Sequence, residues 1–419
     1  MLPRALTVLA ALSAPAWAEG LRAGAAKADI TPPAGFPMWG YAARKDAKCE
    51  GVRDRLHARA LVVEVGKELL AIVSLDLGRA PTRESSARIR AALAKLGVGR
   101  MMLAASHTHH GPVLEDGSWP TPKAPYTRTL EDRIVAVVKE AAGKLAPARM
   151  GAASKEAPLN RNRHSKHPEA PVIRDLTVLR FESEKGEAIA TVAHFAAHPT
   201  MLPVKLLKFS PDWPGALAEA VEKETKAPCL FLQGAAGDLS PNPPRGEGGP
   251  EKFGAAVARE ALALKVKCEP LAGPMGWREE EVRFKPRVAL DNPLIKGMLA
   301  SAFYPALVAH YEREYSDGVR PRLCVATLGD VALVGVSGEV FCGHALHLKR
   351  RARTGRVLLV GLCNDYHQYF PTIEALAEGG YGTEPYISPA ELGAGERLMD
   401  RALLHLLALR GKLKFEGGR

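Results

Sequence analysis

The sequence has six cysteines in 419 residues, and no two of them are spaced C-x-x-C. A zinc site held by cysteines is therefore disfavoured. Cys229, Cys324 and Cys342 lie in the apolar runs PCLFLQ, RLCVATL and VFCGHA, where a buried free thiol is expected rather than a bridge. No G-x-S-x-G is present, which removes the nucleophile elbow of the α/β-hydrolases. After the N-terminus no stretch is long and apolar enough to span a bilayer. There is no internal repeat and no long linker. The basic residues form neither an Arg-rich run nor a stripe interleaved with aromatics, so no nucleic-acid partner is expected, although the net charge is +11. An excess of that size in an exported protein would favour peripheral contact with anionic lipid headgroups.

What is present is ordinary globular composition, 47% hydrophobic and 25% charged. The length suits one large catalytic domain or two modest ones. The opening MLPRALTVLAALSAPAWAEG places Arg4 before a short apolar stretch, then Ala16-Trp17-Ala18. This is the pattern of a secretory signal. The sequence thus predicts cleavage after Ala18 and a secreted or periplasmic protein whose single domain covers 21–411.

Hydrophobic periodicity alternates between the two regular structures. RALVVEV and LLAIVSLD flank Gly66 as a hairpin or adjacent strands. GRMMLAAS, VIRDLTVLRFES, AIATVAHFAAH, PCLFLQ and RVLLVGLCNDY read as further strands, and LCVATLGDVALVGVSGE as a hairpin turning at Gly329-Asp330. Helices are expected over 83–96, 129–145, PGALAEAVEKE, 252–266, after Glu339, and 389–410. Residues 268–296 read as irregular. The fold class is α/β, a large mixed β-sheet with flanking helices. Several strands end in polar clusters: SHTHH, HPT, GDLSPN, SGE and NDYHQY. Ligands of open α/β sheets bind near strand ends, so the active site is placed there.

Taken singly, these clusters leave alternatives open. His107 and His109 would share a face if strand geometry persists, and His-x-His is a common way to offer imidazoles to zinc. His110 would then point the other way, towards the surface. His198 closes a strand before Pro199, where a core histidine bonded to a carbonyl is equally common. Ser240 lies in a tight Gly/Pro loop, where a Ser-Pro turn is the simpler reading. A carboxylate such as Glu339 at a strand-to-helix junction is favoured by the helix dipole alone. Tyr366 and Tyr369 could be packing aromatics.

Together, and in this order, GAAKADITPP, HTHHGP, LNRNR, AHPT…SPDWPG, QGAAGDLSPN, GVSGE and GLCNDYHQYFPT…EGGY resemble the neutral/alkaline ceramidase family from about Arg22 to about Tyr386. The resemblance covers the family's N-terminal catalytic domain. No counterpart of its C-terminal immunoglobulin-like domain is expected. It implies one catalytic Zn2+ held by His107, His198, Glu339 and Tyr369. It implies that His109, Ser240 and Tyr381 act in the reaction and that Arg161 positions substrate. Asp212, in SPDWPG, would orient a ligand histidine. Departures from the family's motifs are His110 and Asn162, each in place of a serine, and Ala236 before Gly237-Asp238.

That residue set makes chemical sense for an N-acyl amide, which is a poor electrophile at neutral pH. Zinc polarises a carbonyl or lowers the pKa of bound water to about 7, and a tetrahedral intermediate needs donors aimed at its oxygen. Ser240 would either attack the carbonyl or hold a water in line. The expected activity is hydrolysis of an N-acyl lipid, ceramide foremost, to a fatty acid and a sphingoid base. The alternatives are a zinc esterase or other N-acyl hydrolase on the same scaffold, and a non-catalytic binding protein.

Overall fold

The structure is a computed structural model describing residues 20–117, 121, 123, 125–302, 305–353 and 355–414. The expected signal segment lies outside the described residues. The chain forms a mixed eight-stranded sheet. Its strand order is Cys229–Gln233, Ala188–Phe195, Asp175–Ser183, Ala146–Glu156, Leu21–Asp29, His57–Val65, Glu68–Leu75 and Arg100–Ala105. The outermost pair at each end is parallel and every pair between is antiparallel. A four-stranded sheet, Gly276–Glu281, Arg322–Leu328, Val331–Val336 and Arg356–Val360, stands beside it.

Side-chain alternation along these strands sorts the core into layers. Ala60, Val62, Val73 and Leu103 face the helices Arg83–Ala94 and Tyr126–Gly143. Leu61, Val63, Ile72 and Met102 face the opposite way and pack on Ala326, Leu333 and Leu358 of the small sheet. The outer face of that sheet, with Val325, Val334 and Leu359, is covered by the helices Cys342–Ala352 and Ala394–Leu409. Helices Asp212–Thr225 and Pro250–Leu262 cover the remaining part of the large sheet. The order is helix, sheet, sheet, helix.

The two expected hairpins form, with Val65 opposite Glu68 and Leu328 opposite Val331. Gly66 and Gly329 adopt φ of 64° and 56°, a region open to glycine at little cost. The six cysteines are all free. Elsewhere the structure adds strands that periodicity did not mark. GWREEE is an edge strand in the region read as irregular; Arg90, Arg322 and Arg401 pair with its carboxylates. The strands Leu21–Asp29 and Ala146–Glu156 are rich in alanine and glycine because neighbours lie close on them. A Cβ on Gly24 would sit 2.2 Å from the carbonyl oxygen of Ala141, and one on Gly151 2.2 Å from that of Lys267.

The edges of the large sheet meet through one segment. Ala105 donates to the Leu362 carbonyl at 3.2 Å and Gly361 to the Gln233 carbonyl at 3.0 Å. The loops following Ala105, Phe195 and Val360, together with Glu339, are thereby brought to one place.

Candidate functional site

His107 follows the strand Arg100–Ala105 by two residues, and its amide donates to the Leu77 carbonyl at 2.9 Å. It takes φ 72°, a strained region for a residue with a Cβ. Strand geometry has therefore ended before His107, and the alternation argument does not apply. The turn itself brings the His107 and His109 rings together, centroids 5.0 Å apart. His107 Nδ1 is 2.8 Å from the Gly78 carbonyl oxygen and His198 Nδ1 is 2.6 Å from that of Ala236. Each Nδ1 must donate there, so each Nε2 is left as an acceptor directed inward.

Three atoms converge. His107 Nε2 and His198 Nε2 are 3.1 Å apart, and Glu339 Oε2 lies 3.1 Å from the first and 3.0 Å from the second. All three residues are buried. Glu339 is delivered by a two-residue strand paired in parallel with Tyr369-Phe370, with Glu339 opposite Tyr369. Burial opposes charge on the Glu339 carboxyl, yet His107 and His198 hold it well below the usual carboxylate range. Burial, then the Arg163 guanidinium, push His198 down to about 3, so it is a neutral lone-pair donor near pH 7.

Around these atoms stand a donor wall and an aromatic wall. Arg163 Nη2 lies 2.9 Å from His198 Nε2 and donates to the Tyr369 hydroxyl at 3.1 Å and the Gly237 carbonyl at 3.0 Å. Tyr366 donates to Glu339 Oε1 at 2.6 Å. Burial and the nearby Glu339 carboxylate raise Tyr366 and Tyr369 well above the usual phenol range. Tyr381 lies at the rim, its ring 5.8 Å from that of Tyr369 and beside Arg163. The Trp39 ring packs edge-on against His107, His109 and Tyr366. Both ring nitrogens of His109 are buried, without a hydrogen-bond partner among the described residues. Burial first, then His107 and His198, depress its basicity strongly.

Several expected placements are corrected. Arg161 is exposed, on a short strand opposite Ser240; Arg163, two residues on, is the arginine that reaches the cluster. The sequence carries two overlapping N-R-x units, Asn160-Arg161-Asn162 and Asn162-Arg163-His164, and the second of them enters the site. Asp212 does not meet a histidine ring. Its carboxylate accepts from the amides of Met201, Leu202 and Trp213, while the Trp213 indole N–H donates to the His198 carbonyl at 3.2 Å. His110 is fully buried rather than on the surface, and Arg44 donates to its Nε2 at 2.6 Å. Ser240 is half-buried. Its neighbour Leu239 accepts from the His198 amide at 3.1 Å, and no hydrogen bond joins the serine hydroxyl to the cluster among the described residues. Tyr366 and Trp39 complete the site. Tyr366 was visible in the sequence only as one of two tyrosines after a strand, and Trp39 carried no motif signal.

The donor set fits a metal ion. Two Nε2 atoms and one carboxylate oxygen, mutually about 3 Å apart, match the spacing of ligands held at about 2.0–2.1 Å from one ion. Both Nδ1 atoms are fixed by carbonyls, the outer-shell arrangement that orients metal-binding imidazoles. His109 also places a ring nitrogen within 4.8 Å of ligand atoms of His107 and His198. Tyr369 lies beside Glu339 and would supply a further oxygen.

The sequence profile of one family, described as neutral/alkaline non-lysosomal ceramidase, N-terminal, matches residues 21–247. Among curated proteins the chain is similar to the neutral ceramidase of Pseudomonas aeruginosa, 32% identical over 264 residues, covering 56% of this chain and 39% of that protein. The match thus spans well under half of that relative's length. Among solved structures, the fold superposes on the crystal structure of neutral ceramidase from Pseudomonas aeruginosa with a TM-score of 0.79 at 22% identity, covering 96% of this chain and 76% of that one. It superposes on a ceramidase complexed with C2 with a TM-score of 0.76 at 21% identity, covering 96% and 77%.

Proposed function

The chain belongs to the neutral/alkaline non-lysosomal ceramidase family, and on that premise we propose that it is a zinc-dependent hydrolase of linear N-acyl amides. Ceramide, cleaved to a fatty acid and a sphingoid base, is the substrate of choice. The observation that carries this reading is the convergence of His107 Nε2, His198 Nε2 and Glu339 Oε2 within 3.0–3.1 Å of one another. The ion would be held by these three residues with Tyr369 as the fourth ligand; when bound, zinc polarises a carbonyl and acidifies water to a pKa of about 7.

The chain's own residues supply the rest. The ring nitrogens of His109 have no hydrogen-bond partner among the described residues, which leaves them available to relay a proton from the attacking oxygen to the leaving nitrogen, and low basicity favours the second, donating half of that relay. The bond formed is oxygen to carbonyl carbon; the bond broken is carbon to nitrogen. Arg163 and the protonated phenol of Tyr381 are donors beside the centre, where the carbonyl oxygen gains charge. Trp39 and Tyr366 shield the ligand imidazoles from water. Ser240 either positions the attacking water or attacks the carbonyl itself, in which case water then cleaves the acyl-serine ester, releasing the fatty acid and restoring the hydroxyl.

The test is a hydrolysis panel of N-acyl lipids and matched esters, with and without chelator. Ceramide turnover abolished by chelator and restored by Zn2+ is the expected outcome. Turnover of esters alone would reject the amidase reading, and a protein that binds N-acyl lipid without turning it over would be a binding module. Export is proposed from the N-terminal segment and is checked by N-terminal sequencing of the mature protein, expected to begin at Glu19. The net charge of +11, one less once Arg4 leaves with the signal segment, supports peripheral contact with anionic lipid; vesicles containing phosphatidylglycerol should retain the protein at low salt and release it at high salt.

A further inference from the structure

We infer that Glu314, Asp365 and His367 form a second site for a divalent transition ion, behind the candidate active site. One ligand atom from each lies within 4.8 Å of the other two. His367 and Asp365 are almost wholly buried, whereas Glu314 stands at the partly open rim. Among the described residues, Asp365 Oδ2 and both ring nitrogens of His367 lack a hydrogen-bond partner. Buried polar atoms without partners cost free energy and are rare. His367 Nε2 and Asp365 Oδ2 face each other at 3.3 Å without hydrogen-bond alignment. Two ligands of one ion, bound at about 2.0–2.1 Å in tetrahedral geometry, stand about that far apart.

The surroundings favour a cation. Arg79 donates to Asp365 Oδ1 at 2.9 Å and also faces Glu115 at 3.3 Å, and Arg83 holds Glu314 Oε1. Arg79 and Arg83 thus meet four carboxylates between them, Asp365, Glu115, Glu314 and, at 3.8 Å, Glu281, so carboxylates outnumber guanidiniums at these two arginines. Arg79 takes Asp365 Oδ1, as hydrogen-bond donors around metal-binding carboxylates do, and leaves Asp365 Oδ2 facing His367 Nε2. One imidazole with two carboxylates suits Zn2+ or Mn2+; Ca2+ and Mg2+ prefer sites made of oxygen alone.

The two sites share one stretch of chain. Asp365 and His367 contribute to the second site. Tyr366, between them, donates to Glu339, and Tyr369 pairs with Glu339 across the short ladder. An ion at the second site would pin residues 365–369 and so hold both tyrosines against the Glu339 carboxylate. Asp365 and His367 are positioning residues in this arrangement.

The experiment uses the full chain, stripped of metal and reloaded with Zn2+ or, separately, Mn2+. Ions per chain are counted by mass spectrometry of the eluted metal and located by anomalous diffraction. Two ions per chain are expected with at least one of the metals, with peaks at both clusters. Glu314→Gln and His367→Asn should each drop the count to one and keep the peak at His107, His198 and Glu339. Glu339→Gln should lose that peak and keep the other. Should His367→Asn fail to fold, Glu314→Gln at the rim carries the test alone. One ion per chain with both metals, an ordered water between Asp365 and His367, or two ions retained by Glu314→Gln would overturn the inference.

Discussion

Arg161 and Arg163 differ in what they touch, and the difference is measurable. The Arg163 guanidinium contacts His198, Tyr369 and Gly237, while Arg161 is exposed. Arg163→Ala is expected to lower kcat by about 100-fold, in the range seen when a donor to a developing oxyanion is removed, with metal content unchanged. Arg161→Ala should stay within about 2-fold of wild type, the size of an effect expected from a surface change. Steady-state kinetics on an N-acyl substrate decide between them, and equal losses would undo the assignment. His107→Ala removes one of three converging ligand atoms. It should lose both bound zinc and turnover, read by metal analysis beside the same assay; retention of activity would move the centre elsewhere.

At the scale of elements, the site depends on close backbone approaches rather than on side-chain volume. Gly78 supplies the carbonyl that fixes the His107 ring, and a Cβ there would lie 2.2 Å from Trp39 Cε3. Gly78→Ala must therefore shift either the tryptophan or the carbonyl. Overpacking of this kind costs about 1–3 kcal/mol, and a displaced outer-shell carbonyl weakens metal binding by about 10-fold or more. Urea denaturation and zinc titration of the variant should show both effects. Wild-type values in both would mean that Trp39 adapts freely. Similar crowding explains why the strands Leu21–Asp29 and Ala146–Glu156 escaped a reading by hydrophobic run. Where a helix or loop lies directly on a strand, alanine and glycine replace the valine and isoleucine that mark strands. GWREEE escaped for a different reason: an edge strand keeps charge, and here that charge is matched by arginines from other elements.

For the whole molecule, burial of neutral histidines sets the response to acid. In the metal-free protein, burial lowers His198 and His110 to about 3 from an ordinary value near 6.5. The unfolded chain then binds protons that the folded chain refuses, so stability is lost as pH falls from about 6.5 towards 3. Asp212 acts in the opposite sense. Burial raises it from 3.8 to about 6, so the folded chain holds the extra proton between those values. Two histidines with the wider separation outweigh one carboxyl, and net destabilisation on acidification is expected. Denaturation of chelator-treated protein between pH 7.5 and 4 should show a falling midpoint, and His110→Gln should flatten the slope. A midpoint that rises on acidification would show that the carboxyl dominates.

Periodicity alone was enough for the class of fold, the two hairpins and most helices, because apolar spacing reports directly which face of an element is buried. Motif order was enough for the family, and with it His107, His198 and Glu339 as partners although 232 positions separate the first from the last (339 minus 107). It was not enough to choose between Arg161 and Arg163, since both follow an asparagine and only the path of the chain after Asn162 turns one inward. The burial of His110, the work of Trp39 and the contact of Tyr366 with Glu339 were likewise decided by tertiary structure. They depend on how the two edges of the large sheet meet around residues 361–364, and that closure is a long-range packing event that no local pattern encodes.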